Sequence, residues 1–294
     1  MPVSLIEKKE GESMIQDIAP YKYHLEFQKP DADEFSYYIF VDGQKLLFHV
    51  EDGKLTLPLY IDHPVEHPTY LCSVDDKEFF LCRDGEALQY FMDRGFTFQP
   101  LGALRVSGPE WLRYGALAAF QFASWYDKNR YCGRCGHKMK HSDVERMVYC
   151  EECNNMVYPK ICPCVIVAII NGEKILLTRY ATNDPRSKNY ALVAGFAEVG
   201  ETIEECVARE VMEETSLKVK NLHYYKSQPW PFSDSLLFGF YCELDGDEHY
   251  QVDNFELQSA KWAERDELEP DKDKVSLTRE MIQRFKEIGR DVLK

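Results

Sequence analysis

The chain has 294 residues, of which 45% are hydrophobic and 29% are charged, and its formal net charge at pH 7 is −15. This length is sufficient for more than one domain with a sizeable hydrophobic core. The acidic excess argues against a general binder of nucleic acid or of an anionic membrane, although a bound metal ion would reverse the local charge and admit a phosphate substrate.

Residues 1–127 are expected to form a β-rich N-terminal domain that ends in a helix. No apolar stretch reaches transmembrane length, and the first 18 residues contain no apolar signal core, so we expect a soluble, cytoplasmic protein. The segment Ser107-Gly108-Pro109 begins a predicted helix that runs to about Asn129, since proline is favoured at the first turn. Apolar patterns separated by turn signals predict strands at 21–27, 37–41, 45–50, 54–60 and 77–82.

Two C-x2-C pairs follow, Cys132/Cys135 and Cys150/Cys153, with 14 residues between the pairs. In a protein expected in the cytoplasm, cysteines indicate metal ligands or buried thiols rather than disulfides. Two such pairs at this spacing are typical of tetrahedral zinc, and four thiolates leave no open coordination position. We therefore predict one structural Zn²⁺ per chain in a ribbon spanning 128–160. Basic and acidic residues are mixed here, which favours a scaffold role over nucleic-acid binding.

Residues 161–294 are expected to form a further domain, an α/β/α sandwich around a mixed sheet. One helix is predicted to begin after Thr202, and a second, amphipathic helix to cover 278–288. The predicted strands of this domain cover 165–170, 174–180, 190–194, 224–226, 236–244 and 260–263. Strands that enclose one long helix, with another helix at the end, predict an α+β fold class for the chain.

The helix after Thr202 has sequence signals for its start and for its buried face. Thr202 and Glu205 have the spacing of a capping box, in which each side chain accepts a hydrogen bond from the backbone of the other. The apolar stripe that should hold this helix on a core consists of Ile203, Val207, Val211 and Leu217.

Three carboxylates share another face of the same helix, because Glu210, Glu213 and Glu214 stand at positions i, i+3 and i+4. Like charges this close are unfavourable unless a cation lies between them. Mg²⁺ or Mn²⁺ suits the position, since hard divalent ions prefer carboxylate oxygens. Arg209 is expected to pair with Glu201 and to orient the neighbouring carboxylates. An exposed acidic helix without a metal is the alternative interpretation.

This stretch resembles the Nudix box, G-x5-E-x7-R-E-U-x-E-E-x-G-U, in which U is aliphatic. Ser216 replaces the glycine that should end the helix in a left-handed conformation, at a cost of about 1 kcal/mol. The resemblance implies hydrolysis of nucleoside diphosphates linked to another moiety, with divalent metal and an activated water. The residues in register are Gly195, Glu201, Arg209, Glu210, Val211, Glu213, Glu214 and Leu217.

A second motif, Ser227-Gln-Pro-Trp-Pro-Phe-Ser-Asp-Ser235, follows the acidic helix. Its prolines are expected to prevent regular ladder bonding, so that Trp230 and Phe232 become rigid rings able to stack on a base or nicotinamide. Taken alone, such a segment is more often core packing. It resembles S-Q-P-W-P-F-P-x-S, the signature of NADH pyrophosphatases within the Nudix superfamily, with Ser233 in place of one proline. The zinc ribbon and the β-rich N-terminal domain also match that family.

The family resemblance implies a set of functional residues. Glu210 and Glu214, with Glu213 alongside, would bind two to three Mg²⁺ or Mn²⁺ ions together with Glu256 and the backbone carbonyl of Ala194. Tyr158 and Phe196 would sandwich the nicotinamide-side ring, and Arg105 is a looser match to a substrate-contacting arginine. Further substrate contacts are implied for Gln228, Pro229, Trp230, Pro231, Phe232, Ser233, Asp234, Ser235 and Glu256.

The implied reaction splits the pyrophosphate of NADH or NAD⁺ into AMP and (reduced) nicotinamide mononucleotide, and some family members remove NAD caps from RNA 5′ ends. The family's active site is shared across a homodimer. Glu213 or Glu214 would accept the proton of the attacking water. Two alternatives remain: a Nudix hydrolase for another nucleoside diphosphate derivative such as ADP-ribose, and a non-catalytic zinc-ribbon binding protein.

Overall fold

The computed structural model describes residues 14–105, 107–181, 189–252, 257–270 and 275–294. Residues 15–161 and 231–234 form one compact unit, which we call the N-terminal unit. The other described residues form the C-terminal unit. The predicted boundaries of the zinc ribbon, after residue 127 and after residue 160, stay predictions. None of the helices in the described ranges is long and apolar enough to cross a membrane.

The N-terminal unit begins with two small sheets and two helices. Its helices are α1 (Gly85–Met92) and α2 (Glu110–Lys128). Its first strands are β1 (Tyr23–His24), β2 (Tyr37–Ile39), β3 (Val41–Asp42), β4 (Lys45–Glu51), β5 (Lys54–Thr56), β6 (Thr69–Val74), β7 (Lys77–Leu81) and β8 (Thr97–Pro100). One sheet has the order β1-β6-β7-β2, and in the other β4 pairs with β3, β5 and β8. The predicted closing helix is therefore present, whereas α1, β6 and β8 were not predicted.

Helix α2 packs closely against the first of these sheets. Pro109 precedes it as the N-cap residue, one position earlier than predicted. A side chain at Gly115 would place its β-carbon 2.5 Å from Cζ of Phe79 on β7, so only glycine permits this approach. Most of α2 is buried, including Phe120, Trp125 and Tyr126. Its aromatic residues are consequently core residues, as the sequence indicated.

The ribbon follows α2 and consists of β9 (Lys140–His141), β10 (Val148–Tyr149) and β11 (Met156–Val157) in the order β11-β10-β9. Arg146 joins it to the rest of the N-terminal unit. The Arg146 guanidinium donates to the backbone carbonyls of Leu25 at 2.9 Å and Leu71 at 2.6 Å. It also lies 4.0 Å from the ring centroid of Phe122. These contacts fix the ribbon against the sheet that contains β6.

The C-terminal unit is built on one mixed sheet. Its helices are α3 (Ile203–Thr215) and α4 (Leu277–Ile288). Its strands are β12 (Cys162–Asn171), β13 (Lys174–Tyr180), β14 (Val193–Phe196), β15 (Val219–Trp230), β16 (Ser235–Leu244) and β17 (Leu257–Glu264). The sheet has the order β15-β16-β12-β13-β17, with β14 also paired to β12. β12 and β16 are parallel, and the other pairs are antiparallel.

Alternation along β12 separates the two cores of this unit. Val165 and Val167 pack with Val207 and Val211 of α3 on one face. The intervening residues of β12 pack with α4 on the other face. Because successive strand residues point to opposite faces, the apolar run buries both sides of the sheet. The predicted α/β/α sandwich with a mixed sheet, and hence the α+β fold class, is confirmed.

The second motif differs from its prediction, because Ser227 to Trp230 lie inside β15 and pair with Phe238 to Ser235 of β16. β15 is an edge strand in the described sheet. A proline on an edge strand can direct its missing N–H away from the ladder, so Pro229 is tolerated there. The residues from Pro231 to Ser233 then form a 3-10 turn. The rings of this motif are therefore positioned by a strand end and a turn rather than by an irregular loop.

Candidate active site

The acidic helix α3 starts and ends with the geometry that its sequence predicts. The backbone N–H of Glu205 donates to Thr202 Oγ1 at 3.1 Å, and that of Thr202 donates to Glu205 Oε2 at 2.8 Å. This reciprocal pair confirms the capping box. At the other end Ser216 is left-handed, with φ of 58°, and its N–H donates to the carbonyl of Met212 at 2.9 Å. A residue with a β-carbon therefore occupies the conformation that favours glycine.

Arg209 is the centre of the charge network on this helix. Its Nε donates to Glu201 Oε1 at 2.7 Å and its Nη2 to Glu201 Oε2 at 2.9 Å, which is a bidentate pair. Its Nη1 donates to Glu210 Oε1 at 2.7 Å and to Glu213 Oε2 at 2.8 Å. The predicted pairing of Arg209 with Glu201 is present, and the same guanidinium also connects two carboxylates of the acidic face.

The network changes the acidity of its members. Hydrogen bonds from Arg209 and from the backbone N–H of Glu198 lower the pKa of Glu201 to about 2. The hydrogen bonds that Arg209 donates to Glu201, Glu210 and Glu213 raise the pKa of Arg209. The Glu201 carboxylate is consequently ionised throughout the neutral range. It holds the guanidinium in the orientation that reaches the acidic face.

Gly195 is required by the position of Glu210. A β-carbon at Gly195 would lie 2.0 Å from Cδ of Glu210 and 2.2 Å from each carboxylate oxygen. Gly195 lies on β14, which pairs with β12, and helix α3 packs on the same side of the sheet. The Glu210 side chain therefore lies directly on the strand backbone. This close approach explains the glycine that opens the acidic motif.

Glu210 and Glu214 are buried, with 8% and 2% of their surface exposed, whereas the Glu213 side chain is 58% exposed. Burial, with a smaller contribution from the charges of Glu210 and Glu214, raises the pKa of the Cys164 thiol on β12 to about 12. The two buried carboxylates are therefore directed toward the sheet, and Glu213 lies at the surface. Together these carboxylates provide the hard oxygen donors that Mg²⁺ or Mn²⁺ prefers.

The other implied metal ligands are only partly placed. Ala194 lies on β14 opposite Ile166 of β12, next to the contact between Gly195 and Glu210. Glu256 lies outside the described residues. In the part of the chain that the structure describes, the only group of three or more potential ligand residues within 4.8 Å of one another is the set of four cysteines. The glutamates of α3 do not converge that tightly around one point.

The four cysteines have the geometry of a closed zinc site. The sulfurs of Cys132 and Cys153 are 3.6 Å apart, and Cys135 Sγ lies 3.4 Å from those of Cys150 and Cys153. A tetrahedral zinc with Zn–S bonds of about 2.3 Å requires S···S distances of about 3.8 Å. Burial acts to raise the pKa of Cys132, but N–H groups of Arg134 and Cys135 and nearby thiols lower it to about 6. The donor set thus fits the predicted structural Zn²⁺.

Two polar residues of the second motif, Gln228 and Ser235, are buried in the structure. Gln228 is fully buried, its Nε2 donates to the carbonyl of Val275 at 2.9 Å, and its Oε1 accepts from the N–H of Leu277 at 2.7 Å. These bonds connect β15 to the start of α4. A buried amide engaged in this way has a structural role, and a substrate contact of Gln228 stays a prediction. Ser235 is also buried, with 3% exposure.

The 3-10 turn of the motif contacts other residues of the N-terminal unit. The Arg105 guanidinium lies 4.9 Å from the ring centroid of Phe232. Lys128 Nζ lies 3.5 Å from Asp234 Oδ2. No sequence pattern links Arg105 to Phe232, and only the structure shows that they are in contact. A cation over an aromatic ring fixes the position of both groups.

The two aromatic residues implied for the nicotinamide side are both accessible. Tyr158 is 51% exposed, and its hydroxyl donates to Glu145 Oε1 at 3.1 Å. Phe196 is 49% exposed, and its carbonyl accepts from Arg209 Nη2 at 2.8 Å. Phe196 is therefore joined through its backbone to the charge network, a link that no sequence pattern indicated.

Comparison with known proteins adds two family matches and several relatives. Residues 160–285 match the NUDIX domain, and residues 127–158 match the NADH pyrophosphatase zinc ribbon domain. The NAD-capped RNA hydrolase NudC of Erwinia tasmaniensis is 44% identical over 186 residues, which cover 63% of this chain and 69% of that protein. Proteins of the same name from Pectobacterium carotovorum subsp. carotovorum and Escherichia coli (strain SMS-3-5 / SECEC) are each 47% identical over 148 residues. Those residues cover 50% of this chain and 56% of each of these two relatives, so the chain spans little more than half their length.

Proposed function

Since the chain belongs to the Nudix hydrolases that carry an NADH pyrophosphatase zinc ribbon, we propose that it hydrolyses the pyrophosphate bond of NADH or NAD⁺. The products are AMP and (reduced) nicotinamide mononucleotide. By the same reaction it removes NAD caps from RNA 5′ ends, as the names of the NudC relatives suggest. One observation carries this proposal. The Glu210 carboxylate lies directly against the backbone of Gly195, and Arg209 forms hydrogen bonds with Glu210, Glu201 and Glu213 at the same time.

Divalent metal is part of the proposal. Glu210, Glu213 and Glu214 would hold two to three Mg²⁺ or Mn²⁺ ions, together with the Ala194 carbonyl and Glu256. When bound, such ions neutralise pyrophosphate oxygens and acidify a bound water. The arrangement on α3 supports this role, since the buried Glu210 and Glu214 and the exposed Glu213 together provide hard carboxylate oxygens on one helix.

The protein groups have distinct tasks in this proposal. The Glu201–Arg209 pair orients the carboxylates of Glu210 and Glu213 before substrate binds. Glu213 or Glu214 accepts the proton of the attacking water as general base. The pH dependence of turnover in variants of each would distinguish them, because loss of the base removes the acidic limb of the profile.

Aromatic residues are proposed to hold the dinucleotide. Tyr158 and Phe196 expose about half of their surface, 51% and 49%, which suits stacking against the nicotinamide ring. Trp230, Phe232 and the other residues of 228–235 are proposed as the further substrate contacts, together with Glu256. We also propose a homodimer with shared active sites, which sedimentation velocity would test directly.

Product analysis tests the reaction. The zinc-loaded protein would receive Mg²⁺ or Mn²⁺ with NADH, NAD⁺, ADP-ribose and a short NAD-capped RNA in parallel. Release of AMP from NADH or NAD⁺, and of nicotinamide mononucleotide from the RNA, is the expected result. Cleavage of ADP-ribose alone would assign the chain to another Nudix activity, and no cleavage at all would contradict the proposal in favour of a binding protein.

Variants on one helix test the site. Glu210→Gln and Glu214→Gln should each abolish turnover while leaving the fold intact, because they keep side-chain volume and remove the charge. Glu204→Gln is the matched control, since Glu204 is exposed in the first turn of α3, and should retain wild-type turnover. Near-normal turnover in both buried variants would rule out the carboxylate assignment.

A further inference from the structure

A cluster of cations lies in the C-terminal unit and shares no residue with the acidic site. β13 and β17 are antiparallel, with Leu177 opposite Lys261 and Arg179 opposite Ser259. Residues two apart on a strand point to the same face. Leu177 packs with Ile282 of α4, so Arg179 and Lys261 emerge on the face of the sheet that α4 covers.

These side chains enclose a cavity of about 180 Å³. Its apolar part consists of Leu177, Leu268 and Ile282, which are at most 5% exposed. Its cationic part consists of Arg179, Lys261 and Arg279, the last contributed by the first turn of α4. The volume is several times the share of one water molecule, about 30 Å³. It therefore accommodates a tetrahedral oxyanion.

Tyr190 brings two of the cations together. The guanidinium carbon of Arg179 lies 4.3 Å from the ring centroid of Tyr190, and Lys261 Nζ lies 4.9 Å from the same centroid. A ring quadrupole attracts cations, but it carries no net charge. The two positive charges therefore lie near the same ring, and the ring does not neutralise them.

The cations lack acceptors within the ranges that the structure describes. There, Arg179 Nε is buried and has no hydrogen-bond partner, and none of Arg179, Lys261 and Arg279 forms a salt bridge. A buried donor without an acceptor is unfavourable, and neighbouring like charges add to that cost. An anion in the cavity would accept a hydrogen bond from the buried donor and would also neutralise the neighbouring positive charges.

Two carboxylates of the lining do not supply that anion. Glu267 accepts a hydrogen bond from the backbone N–H of Glu264 at 2.8 Å and so caps a 3-10 turn. Glu269 is exposed. The three cations are partly buried instead, so the interior of the cavity is positive and its acidic groups lie toward solvent.

We propose that this cavity binds a phosphate group, either as inorganic phosphate or as the terminal phosphate of a nucleoside monophosphate. A guanidinium presents a planar fork of donors that matches phosphate oxygens, and a lysine adds a compact point charge. The two charges and three terminal oxygens of a phosphomonoester match three converging cations better than a single carboxylate does. The site is independent of the proposed hydrolysis.

Calorimetric titration of the full, zinc-loaded chain without added divalent metal tests the proposal. The probes are inorganic phosphate, AMP and adenosine. We expect saturable binding of phosphate or AMP and none of adenosine. Tighter binding of AMP than of phosphate would identify a nucleotide as the source, and equal affinity would identify free phosphate.

Arg179→Gln and Lys261→Gln should each weaken phosphate binding about tenfold or more, since each removes one charge-assisted contact. Arg94→Gln is the matched control, because Arg94 lies 3.4 Å from the ring centroid of Tyr90 in the N-terminal unit, and it should bind as wild type. Tyr190→Phe keeps the ring and should also bind normally, and the melting temperature of each variant checks folding.

Equal phosphate affinity in wild type and in the Arg179→Gln/Lys261→Gln double variant would overturn the proposal, as would the absence of saturable binding to the wild type. Glu210→Gln should abolish pyrophosphate cleavage and leave phosphate binding unchanged. The two proposals can therefore fail separately, because one is read from turnover and the other from binding without divalent metal.

Discussion

Replacing Gly195 with alanine tests how closely the acidic helix must approach the sheet. The added β-carbon would lie 2.0 Å from Cδ of Glu210. Two carbon atoms in ordinary contact are about 3.5 Å apart, so the Glu210 carboxyl group must withdraw by about 1.5 Å. That movement would also stretch its 2.7 Å hydrogen bond to Arg209.

The displacement sets the expected size of the effect. A misplacement of about 1 Å in a catalytic group can reduce turnover about 100-fold. We therefore expect Gly195→Ala to lower kcat/KM for NADH by about 100-fold or more. Mn²⁺ binding should weaken in parallel, because Glu210 is a proposed ligand.

The assay combines AMP release from NADH, calorimetric Mn²⁺ titration and a melting curve. Gly85→Ala is the control glycine replacement, because a β-carbon there meets no atom within 4 Å and its φ is in the ordinary range. This control should leave turnover and Mn²⁺ affinity unchanged and should not lower the melting temperature, because alanine at a compatible position reduces the entropy of the unfolded chain. A Gly195→Ala protein with more than half of the wild-type kcat/KM and unchanged Mn²⁺ affinity would refute the proposed role of this contact.

Three further predictions concern stability. Ser216→Gly should raise the free energy of unfolding by about 0.5–1 kcal/mol in urea denaturation, because Ser216 has a left-handed backbone with φ of 58° and glycine removes the steric cost of its β-carbon. This gain should exceed the cost of the greater chain entropy of glycine. Ser216→Ala keeps the β-carbon, and an equal gain there would contradict the argument. Chelation of Zn²⁺ should lower the melting temperature and re-addition should restore it, because the four cysteine sulfurs lie close enough to bind one ion and metal binding stabilises the folded state. An unchanged melting temperature would contradict a structural zinc. Glu201 should stabilise the protein fully above pH 4.5 and lose that contribution as the pH falls toward 2, because its folded-state pKa is lowered from 4.5 to about 2. The difference in melting temperature between wild type and Glu201→Gln should therefore shrink across that interval, and a constant difference would argue against the pairing with Arg209.

Local signals in the sequence were sufficient for the acidic helix and for the ribbon. Thr202 and Glu205 are three residues apart, and their capping box forms as expected. The paired cysteines likewise meet at one point. In both cases the determining interactions lie within a few residues or within one short spacing. Such interactions depend little on the rest of the fold, so a sequence pattern can predict them.

Features that depend on strand register could not be read from the sequence. Pro229 indicates a break in a strand, yet it is tolerated because β15 is at the edge of the described sheet. Arg179 and Lys261 both lie over the ring of Tyr190 because β13 pairs with β17, whose residues are far apart in the chain. The burial of Gln228 depends on the start of α4. No local pattern contains this information.

The two glycine positions of the acidic motif impose different physical requirements, which explains why this chain departs from the motif at one and keeps the other. Position 216 requires only a left-handed backbone, and serine there costs about 1 kcal/mol, which a large domain can absorb. Position 195 requires empty space, because the Glu210 carboxylate occupies the place of any β-carbon. A substitution there must move a proposed metal ligand. The first requirement concerns stability alone and the second concerns the geometry of the site, so Ser216 leaves the proposed activity possible.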